Sequence, residues 1–171
     1  MRKSATVTAK PDTLGKSLLP SIATGQAAGL IMAVVAMLVF AVFLGKSPLY
    51  PVQVIGATVF GEGALQGFQL NALLAGLLLH QLGPALGWSL VFWLAASSLS
   101  IDSVQDSLIL GLVIGIVSMV GPYLLVPAAL KSLQGVDYWN REVPLFWDWA
   151  AHIVFGVSFG LYPLIKGRLA R

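Results

Sequence analysis

Four apolar stretches run through this chain, and each contains a Gly-x-x-x-Gly pair: Gly25 and Gly29, Gly83 and Gly87, Gly111 and Gly115, Gly156 and Gly160. Glycines four residues apart share one face of a helix. In lipid, where apolar surface gives helices little drive to associate, such faces mark where backbones approach. The pairs therefore predict a bundle packed through glycine-lined faces and speak to assembly, not chemistry. About 20 apolar residues cross a bilayer; 22–44 and 108–130 meet that length, 71–99 exceeds it and 147–165 approaches it. With 57% hydrophobic and 10% charged residues, the chain falls in the membrane class and a soluble core is excluded.

Basic residues orient the spans. Arg2, Lys3, Lys10 and Lys16 precede the first, and Lys166, Arg168 and Arg171 follow the fourth, seven of the ten in the chain. The positive-inside rule then places both termini in the cytoplasm, which needs an even number of crossings and agrees with four. The net charge of +3 arises from these flanks and reads as orientation and contact with anionic lipid. It offers no groove for nucleic acid. The absence of cysteine removes disulfides, thiol catalysis and thiolate metal ligands. The first apolar run is too long for a signal peptide, so it reads as a retained helix.

Along the chain, Pro20-Ser21 suits the first turn of span one, which should end at Gly45. Residues 1–16 read as a tail. Between 45 and 68, Val52, Ile55, Gly56, Val59 and Phe60 keep one apolar helical face among punctuating prolines and glycines, predicting a short helix at the outer interface. Gly83-Pro84 should kink or tilt span two, and Pro122 and Pro127 should bend the outer half of span three. Tyr138, Trp139, Phe146, Trp147 and Trp149 crowd the start of span four and read as an aromatic belt at headgroup level, or as an interface for a partner.

The two histidines, His80 and His152, both fall inside spans, where an ionisable residue is a functional candidate. Each shares a stripe with glycines, so each ring should point toward packed helices, and both lie in the outer half. Three readings follow. Each imidazole can be a buried hydrogen-bonding residue that fastens a helix seam. The pair can be axial ligands of one haem b. Or they can form a metal or proton-relay site with Glu62 and with Asp148, which stands one turn before His152 and could orient its ring. Against that last reading, Asp148 also suits the first turn of a helix and Glu62 a solvated loop. No Gly-x-Ser-x-Gly, phosphate-binding loop, His-Glu-x-x-His or opposed pair of membrane aspartates is present.

The segments PVQVIGATVFG from Pro51 to Gly61, GLLLH from Gly76 to His80, and AHIVFGVSFG from Ala151 to Gly160 followed by Tyr162 resemble small four-span bacterial membrane proteins. The resemblance covers most of 24–165 and implies a role shared by His80 and His152, without bringing an activity. The expected fold is all-α: an up-and-down four-helix transmembrane bundle over 20–166 with a short outer interfacial helix, a cytoplasmic tail at 1–19 and a basic tail at 167–171. The expected function is that of a non-enzymatic, cofactor-free accessory or structural subunit of a bacterial inner membrane, bound to lipid and to a protein partner or further copies of itself. The alternatives are a small haem- or metal-binding protein and an oligomeric solute or proton pathway.

Overall fold

The computed structural model describes residues 12–171, and among these there are six helices and no strand. They are α1 (Asp12–Val42), α2 (Tyr50–Phe60), α3 (Leu70–Leu99), α4 (Val104–Gln134), α5 (Tyr138–Glu142) and α6 (Leu145–Leu169). Four of them, α1, α3, α4 and α6, are long and apolar enough to cross a bilayer, the architecture of an integral membrane protein. Leu30, Val34, Leu38, Leu90, Leu94 and Val113 stand exposed on their outer sides. Thr24, Ser89, Ser107 and Ser118 are buried between them, and each hydroxyl donates to a backbone carbonyl three or four residues earlier in its own segment. Apolar groups outside and satisfied polar groups inside is what a lipid solvent selects.

α1 is central, packing antiparallel against α3 on one side and against α6 on the other, while α6 in turn packs against α4. The end near the Leu99–Val104 turn is closed by Ser17 against Ser97 at 2.8 Å and by Lys166 against Asp102 at 2.5 Å. Ser103 caps α4 there, accepting from the Asp106 N–H at 3.0 Å. α3 and α4 contain 30 and 31 residues, so each is about 45 Å long and overshoots a 30 Å hydrocarbon layer. The excess makes a cap at the opposite end. α2 lies antiparallel along the first half of α3, and Val54, Ala57, Ala72, Leu130 and Tyr138 form a core there. It is separate from the main core around Ala28, Phe92, Ile114, Phe155 and Phe159.

The boundaries extend the expected spans by a few residues in α4 and α6 and depart most at the start of α1. Among the described residues α1 already runs from Asp12, so Pro20 lies in the helix interior and not in its first turn. The Thr24 hydroxyl donates to the Pro20 carbonyl at 2.7 Å, so the helix continues through the proline with a local side-chain bond. Residues 1–11 of the expected tail lie outside the described residues. The helix ends at Val42, and Gly45 follows with φ +62°, a conformation that suits glycine.

Glycine use is uneven. A Cβ added at Gly25 would fall 2.8 Å from Ser89 Cβ, and one at Gly29 would fall 2.8 Å from Ala85 Cβ, so this pair sets the approach of α1 to α3. Gly111, Gly115 and Gly156 bring the backbones of α4 and α6 together, and Gly160 receives Leu108. Gly83 and Gly87 do not behave in this way: nothing lies within 4 Å of a Cβ built on either, so that pair is corrected to open helix surface. The glycine contact of α3 is made instead by Gly76 against Val52 and by Gly56 of α2 against Ala72. The faces that make contact hold helices of this same chain.

Both interior Gly-Pro steps are π turns, at Gln81–Ala85 in α3 and Gly121–Leu125 in α4. A proline inside an α-helix lacks the N–H of its turn and crowds the carbonyl four residues back; widening the turn relieves both. The kinks predicted from Pro84 and Pro122 therefore take this form.

Candidate functional site

α3 and α4 meet near their connecting turn and separate toward the cap. A cavity of about 240 Å³ occupies the gap. Pro84 and Pro122 stand on its two sides, Thr58 of α2 and Trp139 of α5 reach it from the cap, and His152 and Phe155 line it from α6. His80 from α3 lines the same space, so the structure brings the two sequence-predicted histidines to one cavity. A smaller cavity of about 60 Å³ adjoins, also lined by His80 and Trp139.

Each imidazole is tied down through Nδ1. His152 is buried, its Nδ1 3.0 Å from the Asp148 carbonyl oxygen and 3.3 Å from Asp148 Oδ1, a contact made by their spacing of one helical turn. Trp139 Nε1 donates to the other carboxylate oxygen of Asp148 at 2.9 Å, pinning α5 to the first turn of α6. Asp148 thus orients the ring while belonging to the first turn of its helix. On α3, His80 Nδ1 lies 3.0 Å from Gln81 Oε1. Gln81 is clasped by Gln26 of α1: Gln26 Nε2 donates to the Gln81 carbonyl at 3.0 Å, and Gln81 Nε2 donates to Gln26 O and Oε1, both at 3.2 Å.

Glu62 is not part of this arrangement. It is on the cap surface, 61% exposed and 3.1 Å from Arg141. Among the described residues no group of three or more His, Asp or Glu side chains is arranged to hold a metal ion, so the set His80, His152, Glu62 and Asp148 is corrected as a metal centre. Glu62 follows α2 and pairs with Arg141 on the cap surface, while Asp148 divides its carboxylate between Trp139 Nε1 and His152 Nδ1.

The aromatic residues divide. Phe146 is 71% exposed, Trp147 stacks on Phe43 at 4.8 Å, and Trp149 donates to Tyr123 Oη at 3.1 Å, all at positions suited to a belt. Tyr138 and Trp139 turn inward, to the cap core and the cavity.

Sequence reasoning passed over Gln26 and Gln81, although two amides inside apolar spans were a legible signal. It also passed over Glu142. Lys46 Nζ donates to that carboxylate at 2.6 Å, Tyr50 Oη at 2.7 Å and Arg141 Nε at 2.7 Å, tying α5 to the α1–α2 connection. Burial pushes the Glu142 pKa up, but the three donors outweigh it and hold the carboxyl at about 2.

No family model, curated protein or solved structure matches the chain.

Proposed function

We propose that this chain is a non-enzymatic protein of a bacterial inner membrane that holds a small, mainly apolar molecule in the cavity between α3 and α4. The observation that carries this reading is the convergence of His80 and His152, from two helices, on a single apolar-walled space. Ligand sites in helical bundles have this composition: apolar walls with a few placed polar groups. His80 and His152 are the only ionisable side chains among the lining residues, which suits recognition better than acid–base chemistry by paired carboxylates or an activated nucleophile. Leu79 and Leu125, both lining the cavity, are 41% and 59% exposed, so the space opens sideways onto the apolar surface. A molecule dissolved in the bilayer is the natural visitor. Lys16 near the start of α1 and Lys166, Arg168 and Arg171 at the end of α6 gather at the end away from the cap, supporting a cytoplasmic position for that end.

The test is native mass spectrometry with an absorption spectrum on protein purified gently from its own membrane. A small molecule of constant mass should accompany the wild type and be lost when Ala129→Trp fills the cavity. A Soret band would replace this reading with the haem reading. Protein that retains no molecule and shows no saturable binding of apolar probes would overturn it.

A further inference from the structure

The hydrogen-bond partners of the two imidazoles restrict what the cavity can accept. Both groups facing His152 Nδ1 are acceptors, the carbonyl and carboxylate oxygens of Asp148, so this nitrogen carries the hydrogen. For His80 the same result comes through Gln81. Its Nε2 is committed to two acceptors on Gln26, which fixes Oε1 as the atom facing His80 Nδ1 and places the hydrogen on that ring nitrogen too. In a neutral imidazole the remaining nitrogen is a bare acceptor. Neither Nε2 receives a hydrogen bond from any described residue. The two histidines therefore present acceptors to the cavity from different helices, with no matching donor from either; the other polar groups on its walls are the Thr58 hydroxyl, the Trp88 indole and Ser118, whose hydroxyl is committed to the Gly115 carbonyl.

Its walls narrow the ligand further. Trp88, Trp139 and Phe155 offer aromatic faces, which favour a flat ring. The opening past Leu79 and Leu125 leads to lipid and leaves room for a hydrocarbon tail. We infer that the ligand is a hydroquinone-type molecule: an aromatic ring whose two hydroxyls donate to Nε2 of His80 and of His152, with its tail in the bilayer. This rests on the ligand-binding reading above and deepens it. The oxidised quinone has the same skeleton but offers only carbonyl acceptors, which would set lone pair against lone pair at both nitrogens and leave them unpaired. The site thus sorts reduced from oxidised carrier by hydrogen-bond polarity. Binding alone is involved, and no bond is made or broken.

The experiment is anaerobic calorimetric titration of the full chain in lipid nanodiscs with decylubiquinol and, separately, decylubiquinone. The quinol should bind at least about tenfold tighter, the effect of one or more mispaired buried polar groups. His80→Phe and His152→Phe should each weaken the quinol about tenfold, while the quinone binds as well as to the wild type or better. Gln81→Leu keeps both imidazoles but releases the tautomer of His80, and should narrow the preference even if a Phe variant fails to fold. Equal binding of the two forms, or tighter binding of the quinone, overturns the inference. If neither form binds while the protein still carries a copurifying molecule, the hydroquinone class is wrong and the binding reading survives. If the protein carries no molecule and binds no apolar probe, both fall.

Discussion

Gly111 and Gly156 face each other across the seam of α4 and α6 so closely that a Cβ on Gly156 would lie 2.6 Å from the Gly111 carbonyl oxygen. Backbone, not a flexible side chain, occupies the space on both sides, so neither helix can yield without moving as a whole. Gly156→Ala should lower stability by about 1–3 kcal/mol, the usual cost of overpacking, and Gly156→Leu should prevent the seam from forming. Gly87→Ala has free space around it, and should be neutral or stabilising by up to about 1 kcal/mol. Reversible unfolding in mixed micelles would compare the three.

The clasp between Gln26 and Gln81 predicts non-additive mutants. Gln81→Leu removes the amide that donates to Gln26 O and Oε1 while leaving the main-chain carbonyl that accepts from Gln26 Nε2, and should cost about 1–2 kcal/mol, the upper range for polar bonds between membrane helices. Changing both to Leu should cost less than the sum of the single changes, because no amide is then left unpaired. A double-mutant cycle in the same micelles reads the coupling directly.

Glu142 should make the cap sensitive to acid. Its pKa in the folded protein is about 2 against an ordinary 4.5. The unfolded chain therefore takes up the proton first as pH falls. The carboxylate stabilises the fold fully above about pH 4.5, and this contribution fades as pH drops toward 2. The wild type should accordingly be more stable than Glu142→Gln at pH 7, with the gap closing below the ordinary carboxylate range. Unfolding curves of both proteins across that range provide the check.

Trp139 links the cap to the cavity through Asp148. Trp139→Phe keeps the ring but removes the N–H that donates at 2.9 Å. Loss of that charge-assisted bond, of order 1.5–3 kcal/mol, should speed amide hydrogen exchange across α5 by about tenfold or more while α1 stays unchanged. An equal rise in both helices would mean that Trp139 supports the whole bundle and not the cap.

The bundle was readable because its signals repeat: apolar runs of spanning length, and three pairs of glycines at i and i+4 that do line seams, Gly25 and Gly29 between α1 and α3, and Gly111, Gly115, Gly156 and Gly160 between α4 and α6. Gly83 and Gly87 follow the same spacing but lie beside Pro84, and the widened turn places them on open surface. Spacing counts residues and is blind to a change of pitch. His80 and His152 were visible as ionisable groups in apolar surroundings, and both do line one space. Their neighbours were harder to see. Trp139 reaches Asp148, and Lys46 reaches Glu142 across 96 positions, only because α5 folds back over the bundle, and no local pattern announces that return.

The two π turns have a consequence for how this chain can change. Each accommodates one residue more than an α-helical turn would, about 100° of screw rotation. The half of α3 that meets α2 and the half that meets α1 are therefore in register with their neighbours only while the extra residue at Gln81–Ala85 is kept. Deleting a single residue there would swing Gly76 away from Val52, and the same holds for Gly121–Leu125 and the helix beyond it. Pro84 and Pro122 fix the residue count of their helices as firmly as they fix the bend, so a deletion in either turn is tolerated only together with replacement of its proline and a matching rearrangement of the cap.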